Sequence, residues 1–275
     1  MKYTYYLFFF LLFFYACVSD EERRLQTDQT FEGEEMFNIS LSLEEHTFYA
    51  FYPYSFYKDT ANYADLSGCP IVSVNEAVHE VSLTFGEGTC ETNKPLRSGK
   101  LTLTYIDSLL NGKEYITIGY DDYWTRGINL KGIRFIEKMD STVMDSTESQ
   151  ITYGDSINNF LLTDANKSSS KITGNFSHEV LYSSDSIRHI ITSGSGSGRN
   201  IAGRSFQMDI TQPKLLKGDC FDLGFFVSES GQESWTFDRS VEADAFHLVN
   251  YQKATDCNHT ANIQLADGSS ISKTQ

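Results

Sequence analysis

Proline is scarce in this 275-residue chain, with 4 in all, which excludes long proline-rich linkers. Cysteine is limited to 5 and tryptophan to 2. Basic side chains are in deficit: 22 Lys and Arg face 37 Asp and Glu, a formal net charge of −15. A surface of that sign repels phosphate backbones, so nucleic acid is not an expected partner. Catalytic signatures are missing as well. There is no G-x-S-x-G elbow in a strand-turn-helix setting and no H-E-x-x-H. No cysteine pair has C-x-x-C spacing, and the six histidines lack pairs at ligand spacing. No metal and no cofactor are therefore expected, and no catalytic residue is assigned. The run Gly194-Ser195-Gly196-Ser197-Gly198 lacks the closing Gly or Gly-Lys of a phosphate loop and reads as a flexible loop.

What is present starts at the N-terminus. Lys2 precedes an apolar block from Tyr5 to Tyr15, and Ala16-Cys17 follows. A basic start, a short greasy core and a small residue form the pattern of a secretory signal peptide, here residues 1–16. The block is shorter than the ~20 apolar residues of a spanning helix. Cys17 then becomes the first mature residue and the expected site of lipidation, which would tie the protein to a membrane. The acidic segment 17–36, led by Asp20, Glu21 and Glu22, reads as a flexible tether.

The rest of the chain reads as all-β. Phe37, Ile39, Leu41 and Leu43 alternate with Asn38, Ser40 and Ser42, which predicts a first strand. Similar alternations recur at short spacing, as in Val81-Leu83-Phe85, Leu101-Leu103-Tyr105 and Ile172 to Phe176, and Gly, Asn and Asp punctuate them. No long segment has a 3.6-residue period. The pattern predicts antiparallel sheets, in a sandwich or an extended sheet. The polar stretch Met139 to Gln150 reads as a loop between two halves, 37–140 and 151–275, that cysteine placement allows to be related. The tract Phe48 to Tyr57, seven of ten residues aromatic, reads as a strand or turn packed on the sheet. With Cys17 lipidated, four cysteines remain: Cys69, Cys90, Cys220 and Cys257. They allow three pairings, of which Cys69–Cys90 with Cys220–Cys257 needs no link between the halves.

Two stretches carry a resemblance: Phe85-Gly86-Glu87-Gly88-Thr89-Cys90, and Arg97-Ser98-Gly99-Lys100-Leu101 with the Tyr-rich Tyr120-Asp121-Asp122-Tyr123 and Gly127 to Gly132 beyond it. Over roughly Cys69 to Asp267 the chain resembles a family of Bacteroidota cell-envelope lipoproteins of unassigned function. The resemblance implies an outer-membrane or cell-surface location and an all-β build, and it implies no reaction. The acidic residues after Cys17 are similar to the surface-export signal of such lipoproteins. Asp-Ser/Thr triplets centred on Thr60, Ser108, Ser141, Ser146, Ser156 and Ser186 resemble the O-glycosylation rule of the same bacteria. In physical terms Gly86, Gly88 and Gly99 suit turns or bulges that need φ > 0.

The expected function is that of a lipid-anchored envelope protein, not an enzyme, with a structural or interaction role and an unknown protein or glycan partner. One alternative is a carbohydrate-binding or adhesion module, in which Trp124 and Tyr123 stack on a sugar while Asp121 and Asp122 hydrogen-bond it. A secreted hydrolase is the other, since a carboxylate dyad is defined by geometry rather than by sequence spacing.

Overall fold

The computed structural model describes residues 20–86, 96–107, 112–184, 186–239 and 244–274. The leader, Cys17, Cys90 and Ser108 lie outside them. The strands are β1 (Ile71–Asn75), β2 (Glu80–Phe85), β3 (Arg97–Asp107), β4 (Glu114–Thr125), β5 (Ile128–Lys131), β6 (Ile133–Val143), β7 (Glu148–Asp164), β8 (Ser169–Ser183), β9 (Ser186–Arg199), β10 (Ser205–Lys217), β11 (Ser230–Phe237), β12 (Ala245–Gln252), β13 (Thr260–Gln264) and β14 (Ser270–Thr274). All belong to one antiparallel 14-stranded sheet whose order follows the chain, except that β6 lies off the main path and pairs with β4 and β7. The all-β antiparallel expectation holds, in its extended-sheet form.

The expected break between two halves is absent. Met139 to Gln150 is the end of the β6–β7 hairpin, with Val143 paired to Ser149. Residues 139–147 are exposed. Their polarity marks a hairpin that projects into solvent on both faces. One buried apolar cluster runs from Met36 to Leu265, so the sheet has a single core.

The largest correction concerns the N-terminal segment. Residues Asp20–Glu45 form a 26-residue helix, α1, and Thr47–Phe51 a short one, α2. Neither a tether at 17–36 nor a strand at 37–43 describes them. Every residue from Ile39 to Tyr52 is buried, because the inner wall of the sheet packs around the helix. A helix enclosed on all sides has no polar stripe, so the 3.6-residue signal disappears. The Ser–Leu alternation at Ser40 to Leu43 then imitates a strand while tertiary packing makes it helical.

The inner wall follows the two-residue period of its strands. In β8, Ile172, Phe176, Val180 and Tyr182 point inward and alternate with exposed Lys171, Asn175 and Glu179. In β7 a register shift between Ile157 and Phe160 lets both face the core although they are three residues apart. The aromatic tract is core, as expected, though helix and turn rather than strand: Phe48 stacks on Phe221 at 3.8 Å between centroids. Cys220 and Cys257 form a disulfide, and Cys69 is also disulfide-bonded. Among the described residues no helix is long and apolar enough to cross a membrane.

Candidate functional site

The chemistry of this molecule is concentrated where α1 meets the inner wall. Four carboxylates, Glu32, Glu35, Glu44 and Glu45, and one imidazole, His46, sit on or just after α1, and all are buried. A buried charge is stable only when it is paired and hydrogen-bonded. The sheet supplies those partners, strand by strand.

Glu32 accepts hydrogen bonds from Arg204 Nη1 and Arg239 Nη2, each at 2.6 Å, and lies 3.4 Å from His247 Nε2. Burial would raise its pKa, but His247 and the two arginines hold it below the ordinary value. Glu35, one turn later, has only neutral donors, the Ser170 hydroxyl and the Ile201 amide. Burial therefore wins and pushes its carboxyl up. Glu45 receives Arg97 and the Thr125 hydroxyl, with Arg126 3.6 Å away.

Arg134 of β6 forms a two-pronged pair with Asp155 of β7 and also donates to the Leu43 carbonyl of α1. Asp155 lies 3.2 Å from His178 Nε2, and His178 Nδ1 lies 2.9 Å from Thr192 Oγ1. This hydroxyl–imidazole–carboxylate chain has the order of a proton relay. Its carboxylate is neutralised by Arg134, which overcomes burial and holds Asp155 well below the usual range. Burial also lowers His178. The neighbouring cavity, about 20 Å³, has room for one water. Arg134, Asp155, His178 and Thr192 are all buried. The third centre, around Lys214, places Nζ 2.5 Å from Glu233 Oε1 and 2.7 Å from Ser40 Oγ, and in contact with Glu44. Among the described residues no group of three His, Cys, Asp or Glu could hold a metal ion.

The residues expected to bind a ligand do not share one surface. Tyr123 is 0% exposed and packs on Phe85, with centroids 5.6 Å apart. The strand period sends it inward, so it cannot stack on a sugar. Asp121 is exposed and faces Lys100 at 3.6 Å. Trp124 is half-buried, and its Nε1 donates to Asp122 Oδ1 at 2.9 Å, where Asn129 also donates at 3.3 Å. Asp122 has φ 46°, at the point where β3 and β4 slip register opposite Gly99. Gly99 has φ +83°, and a Cβ there would lie 2.0 Å from the Asp122 carbonyl oxygen. That glycine is required, as expected at a bulge. Thr60, Ser141, Ser146, Ser156 and Ser186 are all exposed.

Sequence reading missed Arg134, Asp155, His178, Lys214 and Glu233. A signal was available: each is a polar residue at an inward position of a strand, as in Phe176-Ser177-His178-Glu179-Val180 and Glu233-Ser234-Trp235. No family model, curated protein or solved structure matches the chain.

Proposed function

We propose that this chain is an exported envelope protein, lipid-anchored through Cys17 at the outer membrane or cell surface, with a structural or interaction role and no reaction on another molecule. The resemblance to Bacteroidota lipoproteins and the leader pattern motivate the address. One structural observation carries the role: the buried charged groups of α1 are engaged by the sheet, so the most reactive part of the molecule reads as a lock. The helix that follows the anchor is then the core of the fold, and a pull on the anchor is borne by the whole sheet. Exposed Thr60, Ser141, Ser146, Ser156 and Ser186 suit glycan attachment on such a surface.

The intact mass of the native protein, with membrane fractionation, tests the address. The expected result is a chain that starts at Cys17, carries a diacylglycerol-sized addition and partitions with membranes. A soluble chain with a different start would overturn the anchor.

A second reading, glycan binding at the β4–β5 turn, is favoured by the half-buried Trp124 ring beside Asp122 and Asn129. Trp124→Ala should abolish retention on glycan arrays while leaving the melting curve unchanged. Full retention would remove this reading.

A further inference from the structure

Lys214 is the only enclosed lysine among the described residues. Its side chain, on β10, is 2% exposed. It reaches two carboxylates from different elements, Glu233 of β11 at 2.5 Å and Glu44 of α1. The Tyr251 ring centroid is 4.5 Å from Nζ, and Tyr251 OH and Ser40 Oγ donate to Glu233 Oε1 while Trp235 Nε1 donates to its Oε2. If both carboxylates were ionised, this enclosed group would hold two negative charges against one positive, an arrangement that burial strongly disfavours. Burial indeed pushes the Glu44 carboxyl up, while Glu233 and Glu44 together keep the Lys214 ammonium well above its ordinary value in spite of burial. The enclosure is charge-balanced when one of its two carboxyl groups keeps a proton beside the Lys214 ammonium. A cavity of about 20 Å³ borders Ser40, Glu44, Lys214 and Glu233, enough for one water.

We propose that Lys214 and Glu44 condense to an intramolecular isopeptide bond, with Glu233 as the proton carrier. Lys214 passes one proton to Glu233, and the freed Nζ lone pair attacks Cδ of the protonated Glu44. Glu233 gives its proton to the departing hydroxyl and takes the second amine proton. The Cδ–OH bond breaks, the Nζ–Cδ bond remains, and one water leaves into the small cavity. Charges of +1, 0 and −1 become a neutral amide and a neutral acid, so nothing is oxidised or reduced and no co-reactant is needed. The fold holds the two groups in contact, which supplies the high effective concentration that an unactivated acid and amine require. The product joins α1 to β10 covalently, so the helix could not be withdrawn from the sheet.

Mass spectrometry of the reduced, denatured full chain tests this, followed by proteolytic mapping. The expected result is a chain lighter by one water than its sequence requires, with a branched peptide that joins Lys214 to Glu44. Glu233→Gln should restore the full mass. A wild-type chain at full mass, or a lost water that maps to other residues, would overturn the proposal. Because the wild-type map decides alone, a variant that failed to fold would not protect it.

Discussion

Arg134 and Lys138 stand four residues apart on β6, and both reach a carboxylate. Arg134 and Asp155 are at most 1% exposed, and His46 and the Leu43 carbonyl close around the arginine. Lys138 meets Glu114 at 2.8 Å, with side chains 27% and 56% exposed. The inner wall and the solvent rim thus use the same type of pair for opposite purposes. Inside, each partner is the condition under which the other can stay charged. At the rim, water serves each ion nearly as well as its partner does. The lesson extends to Glu32 and Glu35, one turn apart on α1. Enclosure is common to both, and the presence or absence of cationic partners sets the direction in which each titrates.

Arg134→Met should have the largest effect. It leaves Asp155 enclosed without its principal cation and should destabilise the fold by about 3–5 kcal/mol in denaturant unfolding. A loss under about 1 kcal/mol would mean that the pair is not enclosed in solution. Glu32→Gln should cost about 2–3 kcal/mol by the same measurement, because it strips two charge-assisted hydrogen bonds. Glu35→Gln, which keeps an acceptor for Ser170 and Ile201, should stay within about 1 kcal/mol of wild type.

The pH dependence sharpens that contrast. Glu32 and Asp155 have lowered folded pKa values, so the stability they contribute is present above their unfolded values and is lost as pH falls through the folded ones. Glu35 has a raised value, so its contribution is complete below the ordinary 4.5 and is lost as pH rises through the folded pKa. Unfolding curves over an acid-to-neutral series should therefore show Glu35→Gln gaining on wild type as pH rises above 4.5. The gap should remain flat if Glu35 is solvated.

Gly99→Ala probes the outer bulge rather than the charged lining. The backbone there is left-handed and lies against the Asp122 carbonyl, so a cost of about 1–3 kcal/mol is expected, with chemical-shift changes at Trp124. The smallest effect belongs to the rim: Lys138→Met should change stability by less than about 1 kcal/mol, and that difference should vanish in high salt.

Much of the sheet was legible in the sequence because a strand with one dry face writes its period into the residues. Val81-Leu83, Leu101-Leu103 and Ile172-Phe176 all lie inward as their alternation requires. The glycine at 99 was legible for a backbone reason. The helix was not, since every residue from Ile39 to Tyr52 is buried and that part of it has lost the polar stripe by which helices are recognised. The charged lining was legible in part. The inward parity of Arg134 and Lys214 in their strands was a signal for burial, but only the pairing of distant segments reveals that Arg134 meets Asp155 and Lys214 meets Glu44. Tyr123 was misplaced as a ligand contact because its neighbours Asp122 and Trp124 were read with it as a block, while strand geometry divides such a block between two faces.

The central claim is that the C-terminal part of α1, together with α2, is enclosed in the core of the sheet. Hydrogen exchange of the backbone amides from Glu32 to Phe51, followed by mass spectrometry on the native protein, tests it most directly. The account predicts protection comparable to that of β7 and β8, lost only with global unfolding. Exchange of this segment at the rate of an open chain, while β7 and β8 stay protected, would contradict it.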